Sequence, residues 1–145
     1  MVKFIFLFVG IILFNGCSLD IDTASIIKKY KEDPRRDGSL REEIIEQDIL
    51  PEFHKETPHQ LQAIRFAKKC YRRAQDVKMA NSCRKETVQR FGDEFDFNEY
   101  KVWDESMKQK VMNFLNDQEV FILCYDRAKK AKDILSCPDP KEPNF

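Results

Sequence analysis

Apolar positions along the chain follow two patterns. From Phe4 to Phe14 they are contiguous, eleven apolar or glycine residues behind Lys3. A spanning helix needs about 20 such residues, so the run predicts the core of a signal peptide, residues 1–16, lying outside the folded domain. Past residue 38 the spacing turns helical. Ser39-Leu40-Arg41-Glu42 has the form of a capping box and opens a helix that buries Leu40, Ile44, Ile45 and Ile49 before Pro51. Thr57-Pro58-His59-Gln60 is a second box with proline at the first helical position. It launches Leu61, Ile64, Ala67, Cys70, Tyr71, Ala74 and Val77 on one face. A shorter helix is predicted around Cys83–Arg90, stopping at Gly92. Another carries Tyr100, Trp103, Met107, Val111, Phe114 and Leu115, and the last runs from Asp117 to about Lys132 with Val120, Phe121, Cys124, Ala128 and Ala131. Five helices and no period-two alternation predict an all-α fold, a small bundle or hairpin array over residues 39–137. Residues 17–38, polar and broken at Pro34–Gly38, read as a tether with a short helix at Ala24–Lys31. Pro138-Asp139-Pro140 opens a non-helical tail, residues 138–145.

Behind the apolar run comes Leu13-Phe14-Asn15-Gly16-Cys17-Ser18. With Gly16 directly before Cys17, this stretch resembles the bacterial lipoprotein signal, although Phe14 stands where that family usually has an aliphatic residue. The resemblance implies that Cys17 becomes the mature N-terminus and carries the acyl chains. At about 0.8 kcal/mol per buried methylene, two or three chains anchor a protein to a membrane durably. Ser18 after the cysteine implies, by the same resemblance, the outer membrane, with the domain facing the periplasm. The other reading of the segment is an ordinary secretory signal cut after Ser18.

Besides Cys17 there are four cysteines, Cys70, Cys83, Cys124 and Cys137, in two copies of C-x12-C. The two stretches align without gaps at an offset of 54 residues, with seven of fourteen positions identical: the four cysteines pairwise, Tyr71/Tyr125, Arg73/Arg127, Ala74/Ala128, Lys78/Lys132 and Ser82/Ser136. Such self-similarity marks a repeated supersecondary unit, here 58–83 and 112–137. Four cysteines allow three pairings, and the repeat favours one bridge per unit, Cys70–Cys83 and Cys124–Cys137. A continuous helix would hold each pair about 20 Å apart, far beyond the ~6 Å a disulfide spans, so the chain must reverse within each unit. The stretch from Cys124 to Pro140 resembles the lysozyme-inhibitor-like family of small exported bacterial proteins, in which a similar pair pins a helical turn. Here the spacing is one residue longer, and the Leu and Asp usual after the second cysteine are missing.

Composition narrows the chemistry. The 25 Lys+Arg and 25 Asp+Glu cancel, which is not the balance of a nucleic-acid-binding domain. Only Gly38 and Gly92 follow the signal, so there is no glycine-rich phosphate loop, and no nucleophile elbow or Cys–His pair is encoded. His54 and His59 flank Pro58 and cannot form a metal-binding helical pair. Glu94, Asp96, Asn98 and Glu105 are spaced like calcium-loop ligands, but Glu99 stands where glycine is required. The expectation is therefore no enzyme, no metal and no cofactor.

Charge is segregated, with −4 over residues 39–56, +7 over 58–90 and −5 over 93–120. These blocks either neutralise one another in the fold or leave a basic binding face of Lys68, Lys69, Arg72 and Arg73, extended by Arg127, Lys129 and Lys130. The expected function is a lipid-anchored, non-enzymatic protein–protein interaction module in an envelope assembly. The alternatives are an inhibitor of an envelope-directed hydrolase such as lysozyme, and a structural link between membrane and cell wall.

Overall fold

The computed structural model describes residues 23–35, 38–139, 141, 143 and 145. The signal peptide, Cys17 and the first part of the tether lie outside the described residues, as do the side chains of Ser39 and Leu40. The fold is all-α, with no strand among the described residues. Its helices are α1 (Thr23–Glu32), α2 (Gly38–Ile44), α3 (Leu50–Arg73), α4 (Val77–Phe91) and α5 (Glu105–Arg127). A π turn at Ile45–Ile49 joins α2 to α3, and short 3-10 turns occupy Asp93–Phe95 and Ala131–Ser136. No helix among the described residues is long and apolar enough to cross a membrane.

Helix α3 meets α5 as an antiparallel pair at the centre. Phe53 near the start of α3 packs against Tyr125 near the end of α5, while Lys108 in the first turn of α5 donates to the Ala74 carbonyl just past α3. The buried faces follow from spacing: Phe53, Gln60, Ala63, Ile64, Ala67 and Tyr71 on α3, and Val111, Phe114, Leu115, Gln118, Phe121, Ile122 and Tyr125 on α5. Each fully buried large side chain contributes about 1.5–3 kcal/mol.

Several predicted boundaries move, each for a local reason. The break expected at Pro51 does not occur. The π turn lies directly before that proline and carries the helix across the missing backbone donor, leaving Pro51 in the first turn of α3. The helix start expected at Thr57-Pro58 is also absent, because α3 runs through it. Thr57 Oγ1 is buried and donates back to the Phe53 carbonyl at 2.9 Å, and Pro58 sits on the exposed face where water can serve the backbone. Helix α4 begins six residues before Cys83, because the Asp76 carboxylate accepts the Met79 N–H at 2.8 Å and caps it. Tyr100 and Trp103, expected on a helix, precede α5, which Asp104 caps in the same way. The two last predicted helices are one, since the apolar phase from Val111 to Tyr125 passes Asn116-Asp117 unbroken. Val120, expected in the core, is 58% exposed.

The short helix expected at Ala24–Lys31 within the tether forms as α1, but it is packed on the domain rather than held off it. Tyr30 of α1 is buried and its hydroxyl donates to Glu42 at 2.9 Å. Burial, then that carboxylate, push the phenol up to about 12. Lys31 donates to the Cys137 carbonyl at 2.7 Å and to Asp139 at 2.6 Å, tying the first helix to the far end of the domain. The tail is likewise docked. Phe145 packs on Phe114 and stacks on Tyr100, and Lys141 pairs with Asp117 at 2.9 Å.

Candidate functional site: a basic furrow on the stapled helix pair

Two disulfides frame the helix pair. Cys70–Cys83 and Cys124–Cys137 both form, with Cα separations of 5.7 and 5.6 Å, one within each repeat unit as the repeat predicts. The repeat also holds in backbone conformation. Ala74 and Ala128 end their helices extended, at φ −64°, ψ 127° and φ −66°, ψ 128°. That residue turns the chain back so that the second cysteine reaches the first. The tyrosines beside the first cysteines, Tyr71 and Tyr125, are buried under each turn. Because α3 and α5 are antiparallel, the two stapled turns lie at opposite ends of the pair.

Along the exposed side of the pair, Arg65, Lys68, Lys69, Arg72 and Arg73 of α3 face Glu119 of α5 across a furrow of about 540 Å³. The cations recur at helical spacing, so one face of α3 presents them all. Arg65 Nε donates to Glu119 Oε1 at 2.9 Å and Lys68 Nζ to Oε2 at 2.7 Å. Lys68 and Glu119 are each 18% exposed, so the pair is partly shielded from water, and the bonds from Lys68 and then Arg65 hold the Glu119 carboxyl below the usual range. Lys69, Arg72 and Arg73 are exposed, and no carboxylate pairs with them among the described residues.

The four predicted basic residues therefore share one face, but in two roles. Lys68 is committed to Glu119, while Lys69, Arg72 and Arg73 remain outward. The predicted extension does not join them. Arg127 lies at the end of α5, and Lys129 and Lys130 follow it, at the opposite end of the antiparallel pair from Arg72 and Arg73. Lys129 and Lys130 instead give their backbone N–H groups to the Asp133 carboxylate, both at 2.9 Å. Those two bonds hold the Asp133 carboxyl low.

Arg65 and Glu119 were not predicted. The repeat carried a signal for them, because they are equivalent positions at the offset of 54 residues and antiparallel packing brings equivalent mid-helix positions together. Beside the furrow, α5 turns a second, shallower groove of about 420 Å³ to solvent, lined by Val120, Leu123, Cys124, Arg127, Ala128 and residues of the last turn.

The other candidate residues are placed structurally. His59 Nε2 donates to the Phe91 carbonyl at 2.9 Å and its ring packs edgewise on Phe91 and Phe95, so it fastens the end of α4 to α3. Gly92 just beyond has φ +113°, a conformation that favours glycine and lets the chain leave α4 sharply. Asp96 pairs with Arg84, while Glu94 lies 3.8 Å from His59. Among the described residues no group of three His, Cys, Asp or Glu side chains is placed to hold a metal.

Compared with known proteins, the chain matches no family model, no curated protein and no solved structure.

Proposed function

We propose that the protein is an exported lipoprotein of the bacterial envelope, held by acyl chains on Cys17 to a membrane, on the outer-membrane side of the periplasm. There it acts as a non-enzymatic module that binds a protein partner in an envelope assembly. The observation that carries the reading is the furrow, where three exposed cations with no carboxylate partner among the described residues stand on a helix fixed at its end by a disulfide. Lipid anchorage is supported by the signal-like run and the Gly16-Cys17 junction, and export by two disulfides, which persist in oxidising compartments. Because α1 begins at Thr23 and its Tyr30 packs it on the domain, the chain from Cys17 to Thr23 reaches at most about 20 Å. On this reading the domain rides close against the membrane rather than on a long leash. Replacing Cys17 with Ser should move the protein from the membrane to the soluble fraction; continued membrane retention contradicts the anchor. Affinity capture of the detergent-solubilised protein should recover a reproducible partner that an Arg72→Glu, Arg73→Glu variant loses; equal recovery by both contradicts the docking role.

A second reading, inhibition of an envelope-directed hydrolase such as lysozyme, draws support from the bridged Cys124–Cys137 turn. Unchanged lysozyme turnover in the presence of excess protein removes it.

A further inference from the structure

Resting on that reading of the furrow as a docking surface, we propose that its occupant is an acidic, amphipathic segment of a protein. Such a segment would lay carboxylates on Lys69, Arg72 and Arg73 and an aliphatic side chain on the ledge made by Val120 and Leu123.

The fold leaves positive charge over. Of the five cations that line the furrow, Arg65 and Lys68 share the carboxylate of Glu119, at 2.9 and 2.7 Å. Lys69, Arg72 and Arg73 share none among the described residues. They occupy the last two turns of α3, and the row from Arg65 to Arg73 is about 12 Å long. A peptide with acids three or four residues apart matches that row, whereas a single small anion would engage one end of it.

The second observation is apolar. Glu119 forms the α5 wall of the furrow, and Leu123 lies one turn further along the same helix, past the Arg65 end of the row of cations. Val120, next in the chain, is 58% exposed, the most exposed large hydrophobic among the described residues, and it lines the neighbouring groove with Leu123. An anionic head group or a polysaccharide would use the cations and leave these two side chains in water. A protein segment that lies along the furrow and runs on past Glu119 can place acids on the cations and an aliphatic residue on Val120 and Leu123.

Glu119 has a further consequence for affinity. In the free protein it holds two of the five cations, so it competes with the incoming carboxylates. Removing its charge should strengthen binding, the opposite of the effect expected at a residue that contacts the partner favourably.

The test uses the purified, oxidised full-length chain and three labelled synthetic peptides. One alternates Glu and Leu at helical spacing, one replaces every Glu with Gln, and one replaces every Leu with Ser. Fluorescence anisotropy should show the Glu/Leu peptide binding at least tenfold more tightly than the other two, with affinity falling as salt rises. Lys69→Glu with Arg72→Glu should weaken it tenfold or more, Val120→Asp several-fold, and Glu119→Gln should tighten it several-fold. All four positions are surface or furrow-wall sites, and unchanged circular dichroism secures the fold. Equal binding of the Glu/Ser peptide overturns the proposal in favour of a bare anion site, such as one for lipid phosphate. Equal binding of the Gln/Leu peptide, or indifference to the charge reversal, overturns it as well. A protein that captures a partner through Arg72 and Arg73 yet ignores the Glu/Leu peptide overturns this inference alone and leaves the docking reading standing.

Discussion

The two disulfide-stapled turns begin alike and end differently. In both, a buried tyrosine follows the first cysteine, an alanine turns the chain, and the second cysteine is buried beneath it. Beyond the alanine they diverge. In the first unit Asp76 accepts the Met79 N–H and caps a fifteen-residue helix, α4. In the second, Lys130 stands at the equivalent place, and Asp133 gathers the Lys129 and Lys130 N–H groups into a six-residue 3-10 turn. Ala80 and Ile134 are equivalent, and neither has any exposed surface. The half that makes the turn is thus common to both units, while the half that follows is set by which residue caps it. The first turn also anchors the site: the Ala74 carbonyl accepts from Trp103 at 3.1 Å and Lys108 at 3.3 Å, fixing the end of the helix that carries Arg72 and Arg73.

The largest effect that would break this comparison lies in the shared half. Tyr71→Ala and Tyr125→Ala should each destabilise the fold by about 3–5 kcal/mol, comparably in the two units, as read by urea unfolding. A large cost at only one of them would show that the turns are not equivalent. Next come the bridges, each closing a loop of the same length and each contributing about 3 kcal/mol. Hydrogen exchange should separate them. Without Cys124–Cys137 the 3-10 turn and the tail lose protection, whereas without Cys70–Cys83 the capped α4 keeps its own. Smaller again is the cap: Asp76→Ala should cost about 1 kcal/mol, and Lys130→Ala close to nothing by the same measurement.

An effect no larger than that of the Asp76 cap is expected at the furrow. The folded protein holds the Glu119 carboxyl below its ordinary range, so its pairing stabilises above that range and fades as pH falls through the lowered value. Glu119→Gln should therefore cost up to about 1 kcal/mol near neutral pH and nothing once the wild-type carboxyl is protonated. A penalty that persists in acid would place the role of Glu119 in packing rather than charge.

Much of the architecture could be read before the structure, and the parts that could not share a cause. Helical class, the two bridges and the repeat are local or periodic properties, written in spacing. The boundaries were harder, because Pro51 and Pro58 are strong local breakers that tertiary packing overrides, one behind a π turn and one on an exposed face. The packing of α1 hung on Tyr30, a lone aromatic in a polar stretch, and that of the tail on Phe145, whose partners Tyr100 and Phe114 are distant in sequence. At the site, Lys68, Lys69, Arg72 and Arg73 share a face by helical spacing alone. Arg65 with Glu119, and the separation of Arg127, Lys129 and Lys130, required the antiparallel packing of α3 on α5.

The central claim is that partners dock on this furrow while the protein stands in the envelope. A photo-reactive amino acid placed at Arg72 in cells tests it, with one at Lys28 on the exposed face of α1 as the reference. The account predicts a discrete cross-linked product at Arg72 that is absent at Lys28 and lost when Arg73 is reversed to Glu. No product at Arg72, or the same product at both positions, would contradict it.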